Sequence, residues 1–176
     1  QPDRLPLMDS IAKLFAEVYA NPDDDHLRRV LADALLAIGD PRGELILFQL
    51  EPDKDDHRRA MRLIQAHGLT WLGPLRGSVI PLVYERGFLA SVALLPAVAI
   101  DFAHPIWGTV HTIDFESLSF DDLAAFRATP AMRSLKRLVG LHPTQIAQLR
   151  VEQPAAMERL QLESHPRHEP ASDRFD

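Results

Sequence analysis

Three groups of residues have the types and spacing that chemistry needs. In "NPDDD" at 21 to 25, Asn21, Asp23 and Asp25 alternate as the first ligands of a calcium loop do, and hard oxygen donors so placed could enclose a divalent cation. However, the sixth loop position is His26, where glycine turns the chain, and the twelfth is Ala32, where a glutamate closes the shell. The same carboxylates suit a helix N-terminus. Asp24 or Asp25 would accept hydrogen bonds from free backbone N–H groups at the positive end of the helix dipole, and this is the expectation. A second stretch, "EPDKDDH" at 51 to 57, sets acids beside a lysine and a histidine, as in a metal-dependent hydrolase or nuclease. Those sites spread their ligands over adjacent strands, whereas this segment reads as a solvated loop between helices. Of the eight histidines, only His165 and His168 are spaced at i, i+3, and no third ligand on a rigid element accompanies them. His104, His111 and His142 read as surface or filler residues. There is no nucleophile elbow, phosphate-binding glycine loop or His-Glu-x-x-His helix. The expectation is a protein that is not an enzyme and takes no cofactor or metal. A hydrolase acting through Asp53 or Asp55 is the enzymatic alternative.

The elements that would carry these residues fall into two halves. Ile11, Leu14, Phe15, Val18 and Tyr19 lie on one helical stripe that "NPDDD" ends; Leu27, Val30, Leu31, Ala34, Leu35 and Ile38 form a second, closed by Gly39. A short helix is expected over 41 to 50, with Asp40 as cap, Pro41 in its first turn and Glu44 near the positive end of its dipole. Leu45, Ile46, Phe48 and Leu50 cover more than one face of it. Neither cap nor burial requires Arg42, which is expected to tie the turn to a nearby carboxylate. A fourth helix is expected over 54 to 68.

Beyond "WLGPL" at 71 to 75, short apolar bursts take over: "FLASVALL" (88 to 95), "VHTIDFES" (110 to 117), "SLKRLVG" (134 to 140) and "MERLQLES" (157 to 164). Their inward positions align as Val92 and Leu94, Ile113 and Phe115, Leu138 and Gly140, then Leu160 and Leu162. Trp107, Met132 and Met157 recur every 25 residues. Short strands separated by irregular or helical returns at 20 to 29 residues are the mark of a leucine-rich-repeat-like solenoid. Here the repeat is degenerate, since no Asn or Cys closes the ladder, and the returns at 119 to 131 and 143 to 155 look helical. An ordinary α+β domain is the competing arrangement.

The expected fold class is mixed α/β, an N-terminal helical unit packed on a short, degenerate leucine-rich-repeat-like solenoid. The expected divisions are 1–75, 76–164 and a polar tail, 165–176. With 176 residues, 46% of them hydrophobic, a sizeable core is available. No apolar run nears the roughly 18 residues of a membrane span, so no membrane association is expected. A net charge of −6 with dispersed Lys and Arg argues against nucleic acid. The absence of cysteine fits a reducing, cytoplasmic setting. Opening on Gln1 rather than Met, the sequence is expected to be part of a longer chain.

Three segments occur in a telling order: "NPDDDHLRRVLADALLAIGDPRGELILFQL" (21 to 50), "HGLTWLGPL" (67 to 75) and "ERGFLASVAL" (85 to 94). Together they resemble a bacterial repeat-companion domain family of myxobacteria and planctomycetes, whose members carry such an acidic run, a Gly-Asp-Pro-Arg-Gly-Glu turn, a Trp-Leu-Gly-Pro-Leu segment and an Arg-Gly-Phe segment. Ala34 stands where the family usually has Trp, and Leu47 and Phe48 replace a more polar run. The resemblance implies a helical unit joined to leucine-rich-like repeats, hence an interaction module without catalytic residues. Its partner would be a protein, bound on the outward strand face by Thr112, Asp114, Glu116, Arg137, Val139, Arg159, Gln161 and Glu163, a mixed-charge strip suited to complementary charge. An inhibitor or immunity-type protein blocking a toxin or enzyme is the alternative.

Overall fold

The computed structural model describes residues 4–53, 56–96, 98, 100–115, 130–152 and 158–164. Four helices come first: α1 (Arg4–Ala20), α2 (Asp25–Ala37), α3 (Arg42–Leu50) and α4 (Asp56–Trp71). Asp24 caps α2 as expected, its Oδ1 accepting the His26 and Leu27 N–H groups at 2.9 and 3.1 Å. Asp40 does the same for α3, accepting the Arg42 N–H at 2.9 Å. Gly43 lets these two helices close up, since a Cβ there would stand 2.7 Å from the Ala32 carbonyl oxygen. The fourth helix runs three residues past its expected end, because Gly68 does not stop it. The Gly68 carbonyl instead accepts the Tyr84 hydroxyl at 2.7 Å.

The rest of the chain builds one five-stranded sheet in sequence order: β1 (Val79–Glu85), β2 (Phe88–Leu94), β3 (Thr112–Asp114), β4 (Arg137–Leu141) and β5 (Gln161–Ser164). The first pair is antiparallel and the others are parallel, so the fold is mixed α/β with a mostly parallel sheet. Val92, Ile113, Leu138 and Leu162 form one transverse row. The expected match of Leu138 with Leu160 is thus corrected by two residues. A two-residue slip keeps the same face buried, so alternation alone could not separate the two leucines. β1 was not foreseen, because Pro81 breaks the strand pattern; it is tolerated because β1 is an edge strand.

Between β2 and β3 the chain makes a 3-10 turn, Pro105–Thr109, begun by the His104 Nδ1 accepting the Ile106 N–H at 3.2 Å. It buries Trp107, whose Nε1 donates to the Asp101 carbonyl at 2.8 Å. The return after β4 is helical as expected, α5 (Pro143–Glu152). The return at 116–129, Met157 and the tail 165–176 lie outside the described residues. Among the described residues, no helix is long and apolar enough to cross a membrane.

Two apolar cores interlock across the expected boundary at residue 75. Phe88 of β2 belongs to the helical core with Val18, Leu31, Leu35 and Ile46, while Leu72 and Leu75 join the sheet core around Val92, Trp107 and Ile113. The β1–β2 turn is the connection. Arg86 and Gly87 both have positive φ, 50° and 80°, as a two-residue hairpin turn of the primed type requires. A Cβ on Gly87 would also lie 2.1 Å from Ile46 Cγ1. For Arg86 this backbone costs about 1–2 kcal/mol, and the helices hold it in place. Arg28 donates to the Arg86 carbonyl at 3.0 Å, Arg42 Nε to the Gly87 carbonyl at 2.9 Å, and the Gln49 amide spans Tyr84 O and Gly87 N–H at 2.8 Å each. Both guanidinium groups stand over the Phe88 ring, at 4.7 and 4.4 Å. Arg42 is 6% exposed, so the expectation that it meets a carboxylate is overturned. It caps a turn carbonyl and stacks on Phe15 and Phe88.

Candidate partner-binding surfaces

The outward strip predicted from sequence is brought together in part. Thr112, Arg137 and Gln161 share one register row, and Asp114 pairs with Val139 in the next. Arg159 is exposed just before β5, and Glu116 lies outside the described residues. Thr112 does not qualify as a surface residue. It is 9% exposed, because β3 is flanked on both sides by strands and the His111 ring lies beside it, Nδ1 3.0 Å from Thr112 Oγ1. Arg137 gives both Nε and Nη2 to Glu163 Oε1, at 3.1 and 2.7 Å. These two charges of the strip therefore satisfy each other, an exposed pair worth at most about 1 kcal/mol.

The described members of the chemical candidates make contacts within the fold. Asp25 Oδ1 lies 3.1 Å from Arg86 Nη1 and Asp23 Oδ1 lies 3.7 Å from Nη2, so the acidic cluster faces the hairpin's own cation. Asp56 Oδ2 accepts the Asp53 N–H at 2.9 Å, and its other oxygen faces Arg59. Lys54 and Asp55 lie outside the described residues, among which no three His, Cys, Asp or Glu side chains converge as metal ligands.

One arrangement was not anticipated. Glu85 Oε2, His111 Nε2 and His111 Nδ1 lead to Thr112 Oγ1 in steps of 3.2 and 3.0 Å, the order of a carboxylate, imidazole and hydroxyl relay. The hydroxyl at its end is 9% exposed, on a strand flanked by others on both sides. The chain of contacts ties β1 to β3 across β2.

A large opening lies elsewhere, between α4 and β1. It is a groove of about 510 Å³, walled by Met61, Ile64 and Leu69 on one side and Pro81, Leu82 and Val83 on the other. A smaller hollow of about 390 Å³ continues it past Phe48, Pro52 and His57 to Glu85 and Arg86. α4 contributes residues 57, 60, 61, 64, 65, 68 and 69, the i, i+3, i+4, i+7 stripe of one helix face. Leu82 is 50% exposed, Met61 43% and Leu69 60%, so the walls are apolar but wet. The sequence carried a weak sign of this, Ile80 and Leu82 alternating beside "ERGF". Whether an apolar residue is covered depends on what packs across from it, and that cannot be read locally.

Tyr84 lies at the floor of the groove and titrates with the fold. Burial, partly opposed by the Arg42 cation, pushes its phenol up to about 12. Because the folded state holds this proton more tightly than the unfolded chain, its contribution is complete below pH 10 and is lost as the pH rises toward 12. Tyr84→Phe is expected to flatten the fall in stability between pH 10 and 12, measured by urea unfolding, and to cost about 1 kcal/mol at pH 7 through the lost bond to Gly68. An unchanged slope would show that the phenol is not held in this way.

No protein-family model, curated protein or solved structure matches the chain.

Proposed function

We propose that the chain is a non-enzymatic protein-interaction module, an adaptor whose helical unit caps a short, degenerate leucine-rich-repeat-like solenoid and holds a docking groove at its first edge. The solenoid reading is supported by the parallel strands β2 to β5 pairing in sequence order, and by one apolar row recurring at steps of 21, 25 and 24 residues. The kinship with the repeat-companion family is supported by the roles of its motifs. The Arg-Gly pairs at 42–43 and 86–87 meet in one joint, beside the Trp71 that opens "WLGPL".

The observation that carries the proposal is the clustering of exposed apolar side chains. Of ten such large residues among those described, Met61, Leu69, Leu82 and Val83 line the groove and Ile80 adjoins it on β1. Single exposed apolar residues are ordinary, but a contiguous patch beside a cavity marks a docking surface. The sheet strip is a second reading, favoured by Asp114, Arg137 and Gln161 lying on three neighbouring parallel strands.

The test is capture of a partner by the immobilised full chain with mass-spectrometric identification, repeated with variants. Leu82→Glu and Met61→Glu alter half-exposed side chains and should leave the fold intact while reducing capture at least tenfold; Asp114→Arg and Arg137→Glu should not. Loss only in the strip variants would transfer binding to the sheet face. Capture unchanged in all four would sink the module reading.

A further inference from the structure

Independently of the groove, we propose that the chain docks on a second copy of itself by antiparallel pairing of β5 with β5. The sheet has two edges, and they are built differently. At β1, Pro81 offers no N–H and the register with β2 breaks between Pro81 and Val83 and again between Val83 and Tyr84, devices by which natural edges refuse another strand. β5 has neither. It holds no proline, and where its pairing with β4 is irregular the extra residue belongs to β4, Leu138 to Leu141 opposing Leu162 to Ser164. Among the described residues nothing pairs with its open side. The apolar row that crosses the sheet records this. Val92, Ile113 and Leu138 are wholly buried, whereas Leu162, the last of the row, is half-buried against the same core, as is Leu160 just before β5. An array of repeats needs its final apolar face covered, and α4 packs on β1, at the opposite edge.

The sequence of the edge then selects its occupant. Gln161 gives its N–H to the Lys136 carbonyl at 2.8 Å, so by strand alternation Leu162 turns its own N–H and C=O to the open side. Pairing draws the turn residues Arg159 and Leu160 into the strand. With Gln161 opposite Gln161 of the second copy, Leu162 becomes the hydrogen-bonded partner of Leu160 of the second copy, and symmetry repeats the pair. The same register sets Arg159 opposite Glu163 in both directions. Arg159 is exposed and makes no ion pair or hydrogen bond among the described residues. Both bonds from Arg137 to Glu163 end on Oε1, which leaves Oε2 to receive it. Centring the pair on Leu162 would leave Arg159 without a carboxylate, and centring it on Glu163 would set like charges face to face. An edge that is its own complement in one register is what a two-fold dimer uses. So short a contact makes a weak dimer, with a dissociation constant between about 1 μM and about 1 mM.

The experiment is sedimentation equilibrium of the full chain from about 1 μM to about 1 mM, where monomer and dimer should both appear. Arg159→Glu and Glu163→Arg each oppose like charges on both sides of the two-fold axis, and each alone should weaken self-association at least about tenfold while remaining folded by urea unfolding. Mixed in equal amounts, the two variants complement each other at both positions and should recover most of the parent's affinity. Leu82→Glu, in the α4–β1 groove, should change nothing. A chain that stays monomeric throughout, a dimer indifferent to both charge variants, a mixture no tighter than its components, or a dimer lost in Leu82→Glu would overturn the proposal.

Discussion

Replacing Arg42 by methionine is expected to lower the unfolding free energy by about 1–3 kcal/mol, the range for leaving a buried backbone acceptor without its donor. Methionine fills much of the same volume, so the loss is not a cavity effect. It leaves the Gly87 carbonyl without its donor, and removes a cation standing 5.0 Å over Phe15 and 4.4 Å over Phe88. Arg42→Lys should rescue less than half of it, because a compact ammonium cannot donate sideways to a carbonyl while lying flat against two rings. Urea unfolding at pH 7 measures both. A change below about 1 kcal/mol in Arg42→Met would show that the guanidinium is not a structural anchor.

Phe88→Ala is expected to cost at least as much, about 3–5 kcal/mol, from the transfer and cavity terms of a wholly buried ring. The ring also lies 4.4 and 4.7 Å from two like charges, Arg42 and Arg28. Arg28 stands on it as well, and Arg28 is already strained electrostatically: burial first and the neighbouring Arg86 second pull it down to about 10, so it remains charged at neutral pH. Its Nε finds no hydrogen-bond acceptor among the described residues, and Asp25 Oδ1 is 4.0 Å away. Removing the ring exposes both cations to a void. In a double-mutant cycle, Arg42→Met and Phe88→Ala should couple by more than about 0.5 kcal/mol, beyond the additivity expected of separate sites. Additive losses would mean that the stacking contributes nothing apart from packing.

These two residues show where sequence reading succeeded and where it stopped. The helices were legible because their stripes are long and their stops, Asp24, Gly39 and Asp40, act through neighbouring backbone. Two of the strand alignments followed from Val92, Ile113 and Leu138, where apolar alternation leaves one buried face. The partner of Arg42 was not legible, because it is a carbonyl 45 residues away that becomes available only when Arg86 and Gly87 turn back. Proximity in sequence to many acids suggested a carboxylate, but a buried arginine beside aromatic rings was better served by a backbone oxygen. Alternation gave the face of Thr112, while the flanking strands and the His111 ring decided its burial. The groove depends on how far α4 stands from β1, a distance that no local pattern encodes.

The strand order also sets a timetable. Each strand pairs with the one made just before it, and the hairpin joint needs only residues up to Phe88. During synthesis the joint is complete before β3 leaves the ribosome, so each later strand meets an edge that is already formed. Order of emergence is then order of assembly. Damage to the joint should therefore lower the yield of folded chain made in a cell-free translation more than it lowers the stability of chain that has already folded.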